Sequence, residues 1–140
     1  MTTPVMTTQV MTTSVEANLL DKYQQAQKKI TSLRGPFSLF GLFERRDTPG
    51  RLDLVVSAPW LSTDRNGMQD LAQHLPYLTD AEGALMGRIV GLDPDDEFVR
   101  TLNQAVQTTG QLQETGGLQA WKVDVAHSFI FASQRLTGHG

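Results

Sequence analysis

Cysteine is absent from the 140 residues. Disulfides, thiolate nucleophiles, Cys-ligated zinc and iron–sulfur clusters are therefore excluded together. No apolar run approaches the ~18 residues that span a bilayer. The N-terminus lacks the basic region and apolar run of a secretory signal, so the cytoplasm is the expected location. Charge is sparse, at 19% of residues, with no basic excess: 12 Lys and Arg face 15 Asp and Glu, a formal charge of -3. A chain that grips nucleic acid by its phosphates usually carries the opposite balance. The signatures of nucleotide loops, dinucleotide folds, serine hydrolases and HExxH zinc enzymes are all missing. The three histidines, His74, His127 and His139, form no closely spaced ligand pattern.

Apolar residues make up 39% of the chain, enough for one small domain. The first fifteen residues repeat MTTPV, MTTQV and MTTSV. Three five-residue units are too short for a solenoid, whose periods run about 20–50 residues. Uncharged and with little to bury, residues 1–14 read as a tail or extended arm, and 15–140 as a single globular domain.

Hydrophobic spacing orders the rest. Leu19, Leu20, Tyr23, Ala26, Ile30 and Leu33 fall on one stripe of a helix over 15–34, stopped by Gly35-Pro36. Two strand-like runs follow, 37–44 and 51–58, joined by turn residues Thr48-Pro49-Gly50. The first run is apolar on both faces. A helix over 61–78 is expected to stop or kink near His74 because of Pro76. The short apolar run 84–92 reads as a strand, with a helix from Asp80 as its rival. Asp93 as cap and Pro94 at the first position open the next helix. Residues 108–117 read as a Gly/Thr/Gln loop, and 118–126 and 128–133 as strands. The predicted fold is α+β, in the order α-β-β-α-β-α-β-β. One mixed or antiparallel sheet of about 4–5 strands carries helices mainly on one face.

Three segments can carry chemistry. Asp93, Asp95 and Asp96, with Asp64, offer hard oxygens to a divalent cation, although a cap and first-turn acids are also ordinary grammar for a helix start. Trp60, Ser62, Thr63 and Arg65 stand where a strand gives way to a helix. Such a place suits an anion or a stacked ring, and equally suits plain capping. These two turns would meet if the strands preceding them were parallel neighbours. Arg45, Arg46 and Arg51 flank the hairpin turn and form a basic tip for phosphates or an acidic partner, or a solvated turn. The charge is uneven: residues 16–51 carry +3 and residues 52–100 carry -6. Glu44 and Asp53, on neighbouring strands, raise a nuclease-like metal pair, but the lysine such a core needs is missing.

Two functional expectations follow. The first is a non-enzymatic binding or assembly module acting through protein–protein contacts, by self-association or with another protein. It needs no cofactor and no membrane, and the charge balance disfavours nucleic acid without excluding a local basic patch. The second is a small metal-dependent enzyme acting on a phosphorylated or anionic substrate with a divalent cation.

Overall fold

The computed structural model describes residues 14–120 and 123–136. The expected arm therefore lies outside the described residues except for Ser14, which is the first residue of helix α1 (Ser14–Arg34). On α1, Leu19, Tyr23, Ala26 and Ile30 are buried at spacings of four, three and four. Leu33, on the predicted stripe, is instead 56% exposed because the helix ends there. Gly35 closes it with φ 115°, donating its N–H to the Thr31 carbonyl (2.9 Å).

Strands β1 (Leu39–Arg45) and β2 (Leu52–Ser57) form the predicted hairpin, with Phe43 opposite Asp53. Pro59, expected only to end the second strand, starts helix α2 (Pro59–Thr63). The long helix predicted over 61–78 is in fact two short ones. After α2 the chain turns through Asp64–Asn66 into α3 (Gly67–Gln73), which stops at His74 as Pro76 requires. A single turn, α4 (Asp80–Gly83), is held by a reciprocal capping box between Thr79 and Glu82. Strand β3 (Met86–Gly91) follows, so the 84–92 run is a strand.

The next helix, α5 (Glu97–Ala105), begins later than the sequence suggests. Asp96, not Asp93, is its cap, accepting from Phe98 N–H at 2.9 Å. The predicted loop 108–117 is part of a long strand, β4 (Thr108–Ala120), paired antiparallel with β5 (Val123–Ser133). The register shifts between Thr109 and Gln113, where Gly110 has φ 143°. Thr108 Oγ1 fastens that irregularity by accepting from Gln111 N–H and donating to the Gln111 carbonyl. The two strands predicted over 118–133 divide differently: Leu118–Ala120 completes β4, and His127 lies within one long β5.

The sheet order is β3-β2-β1-β5-β4, with β2 and β3 parallel and the other pairs antiparallel. Side-chain alternation sends β1 and β2 into two cores. Phe40, Leu42, Leu52, Leu54 and Val56 pack under α1 with Phe37 and Leu71. Leu39, Phe43 and Val55 pack with Phe98, Val99 and Leu102 of α5. The helices α1 to α4 share one face, and α5 alone covers the other. This is why the first hairpin strand is apolar on both sides. Among the described residues no helix is long and apolar enough to cross a membrane.

Candidate functional site

On β2 the alternation that buries Val55 under α5 also points Asp53 to that face. Its side chain is only 6% exposed. A carboxylate there is costly unless donors surround it. Oδ1 accepts from the backbone N–H of Arg88 (2.9 Å), and Oδ2 from the Arg88 guanidinium (3.2 Å). Arg45 Nε lies 3.3 Å from Oδ2 as an ion pair that lacks hydrogen-bond alignment.

A bulge makes room for this arrangement. Leu52 pairs with Met86 but Leu54 pairs with Ile89, so β3 carries one extra residue opposite Asp53. Gly87 fills that place because a Cβ there would collide with Asp53 Oδ1. Bulges are rare in parallel pairs and are concentrated beside functional sites, where they re-aim a side chain. Here the re-aimed side chain is Arg88.

The result is a cleft with two basins that share Arg45, Asp53 and Arg88. The inner basin, about 280 Å³, has an apolar floor of Phe43, Val55, Val90, Leu92 and Phe98, with Asp96 at its far end. The outer basin, about 480 Å³, adds Thr48, Arg51 and Gly87. Arg51 is oriented by donating to the Met86 carbonyl (3.2 Å). Two guanidinium groups, of Arg45 and Arg88, thus meet one buried carboxylate over an apolar floor, Arg51 lines the outer basin beside them, and Arg45 also pairs with the exposed Asp47 (3.6 Å). Such a site can hold an anionic group whose body is apolar.

Two of the predicted basic residues, Arg45 and Arg51, are brought to this cleft. Arg46 is exposed one residue past β1. Arg88 was missed, although a lone arginine beside a glycine in the apolar run 84–92 was the available signal. Asp53 was noticed for another reason, as a metal partner of Glu44. The register puts the two on opposite faces of the sheet: Glu44 turns away and accepts from Gly50 N–H (2.8 Å), tying the hairpin turn. Gly50, at φ 83°, has the left-handed backbone that turn needs.

The other predicted site residues are placed as follows. Trp60 packs edge-on against Phe37 (5.6 Å between centroids) and lies under the Arg34 guanidinium (4.7 Å). Ser62, Thr63 and Arg65 are exposed, and Thr63 Oγ1 donates to the Pro59 carbonyl. Asp64 accepts from Arg34 (2.7 Å) and from Asn66 N–H (2.9 Å), while Asp70 holds the other arm of Arg34. The Arg34 bond keeps the Asp64 carboxyl below the usual carboxylate range, and the two carboxylates raise Arg34 in turn. Across α1, Lys22 does the same to the buried Glu82, with an Nζ–Oε1 distance of 2.6 Å.

Strands β2 and β3 are indeed parallel neighbours, yet the turns that follow them part. The Trp60 turn folds onto the α1 face, and Asp96 goes to the α5 face. Asp93 Oδ1 accepts from Asp95 N–H (2.9 Å) in the turn before α5, and Asp96 caps that helix. Among the described residues no three acidic or imidazole side chains cluster as a metal site would require. No known family model, curated protein or solved structure matches this chain.

Proposed function

We propose that this protein is a non-enzymatic binding module acting through protein–protein contacts. Its cleft between β2, β3 and α5 receives an acidic side chain of a partner together with an adjacent apolar one. The observation that carries this reading is the lining of the mouth: Arg45 and Arg88 pair with the buried carboxylate of Asp53, and Arg51 lines the outer basin beside them. The floor of Phe43, Val90 and Phe98 supplies the place for the apolar neighbour. Both carboxylates of the cleft are engaged, Asp53 with Arg88 and Arg45 and Asp96 with the start of α5. This favours binding over acid–base chemistry. The net charge of -3 and the cysteine-free chain suit a cytoplasmic protein partner better than nucleic acid.

The test is fluorescence anisotropy with short peptides that pair Asp or Glu with Leu or Phe. Binding is expected, and Arg45→Ala and Arg88→Ala should each weaken it by about tenfold or more, since charged hydrogen bonds contribute about 1.5–3 kcal/mol. Replacing the peptide's acid by its amide should have a similar effect. Affinity unchanged in both variants would remove the reading. Binding of inorganic phosphate or a nucleotide with none to peptides would turn it toward a small anionic substrate.

A further inference from the structure

The β3 edge of the sheet raises a separate question. β3 ends the sheet order, so one side of its backbone has no neighbouring strand among the described residues. Edges of this kind are usually blunted by lysine, proline or inward charge. The segment Met86–Gly91 contains no lysine or proline. Its one charge, Arg88, is drawn inward toward Asp53 and, with the bulge, blunts the first half of the edge only. The bulge disturbs only the first half of the edge, and from Leu54↔Ile89 to Val56↔Gly91 the ladder is regular. This regular half carries Ile89, 47% exposed. Beside it Gly91 leaves its place to the side chain of Met68, itself 37% exposed, whose sulfur would lie 2.8 Å from a Cβ at that position.

The two ends of this edge differ in charge. Arg51 is fixed on the Met86 carbonyl at the start, and Asp93 and Asp95 are exposed just past the end. An edge that is basic at one end and acidic at the other is complementary to itself when run antiparallel.

We infer that the occupant of this edge is a second copy of the chain. The two β3 strands pair antiparallel about a two-fold axis beside Val90, joining two five-stranded sheets into one. In that register Ile89 of each copy lies opposite Gly91 of the other, against Met68. Asp93 of each lies opposite Gly87, next to Arg51. Backbone hydrogen bonds along the edge supply the attachment, and the charges select the antiparallel direction. This pairing leaves the inner basin open on the α5 face, while the outer basin, which shares Gly87 and Arg51 with the edge, adjoins the interface.

The experiment is light-scattering mass of the full chain across a concentration series, with circular dichroism to verify folding. The expected result is a shift from 15.5 kDa toward twice that mass as concentration rises. Ile89→Lys should hold the mass at the monomer value, as lysine blocks an edge. Arg51→Glu should do likewise, and adding Asp93→Arg to it should restore the dimer. Restoration by the double swap is a gain that misfolding cannot mimic. A monomer at every concentration overturns the proposal, whatever other strand the edge accepts. A dimer indifferent to both Ile89→Lys and Arg51→Glu overturns it too.

Discussion

A lone arginine and a group of three, on opposite faces of one sheet, are put to opposite uses. Arg34 stands between two carboxylates, Asp64 and Asp70, and lies over Trp60. Its charge is more than matched by the two carboxylates, and one face of the guanidinium rests on the indole. Arg45 and Arg88 pair with one carboxylate that is itself buried, and together with Arg51 they line a cavity. The residue types are the same. The count of charges and the presence of an apolar floor separate a structural clasp from a place that can receive a partner.

Removing Asp53 is the most damaging way to break that comparison. Asp53→Ala deletes the acceptor of Arg88 N–H and leaves Arg45 and Arg88 facing each other. It should cost about 3 kcal/mol, read from urea denaturation. A near-neutral result would show that the carboxylate does not organise the cleft. Gly87→Ala comes next. Its methyl would collide with Asp53 Oδ1, and such overpacking costs about 1–3 kcal/mol. Gly83→Ala is the control, because a Cβ there meets nothing within 4 Å and the stability should barely change.

The arginines themselves sharpen the contrast. Arg88→Ala should alter stability by less than about 1 kcal/mol, since that side chain is 61% exposed, while weakening peptide binding about tenfold or more. Arg34→Ala should lower the thermal midpoint more than Arg88→Ala does, because it leaves Asp64 and Asp70 as unopposed neighbours and uncovers Trp60, yet should leave peptide affinity intact. Equal midpoints for the two variants would dissolve the distinction.

The smallest effect is on pH. Asp64 and Glu82 are held below their ordinary values of 3.8 and 4.5 by Arg34 and Lys22. The unfolded chain binds those protons more readily, so both pairs contribute their full stability above about pH 5 and lose it as pH falls through the lowered folded values. Denaturation midpoints between pH 6 and 3 should fall, and Asp64→Asn should flatten part of that slope. A slope unchanged by Asp64→Asn would assign the acid sensitivity elsewhere.

Much of this fold was legible because it rests on local grammar. The spacing of Leu19, Tyr23, Ala26 and Ile30 specifies α1, and the turn at Thr48–Gly50 specifies the hairpin. Thr108–Gly117 was misread because β4 is an edge strand. Its exposed Gln and Thr side chains carry no apolar alternation, and its place comes from pairing with β5. The break at Asp64–Asn66 was hidden because Arg34, thirty residues earlier, is what holds Asp64. In the acidic run at 93–97 the sequence offers both a cation site and a helix start, and one oxygen each of Asp93 and Asp96 accepts from a backbone amide.

Composition and periodicity alone determined that this chain makes an α+β fold, with a first strand apolar on both faces and without thiol chemistry. All three are properties of single residues and short windows, which a linear reading captures. Only the tertiary structure decided that Asp53 and Arg88, thirty-five residues apart, would meet through a bulge in a parallel pair. Strand order and register are set by the burial of the whole sheet between two helix layers. The charges left over once the sheet is paired then determine which arginines are spent on structure and which face a cavity.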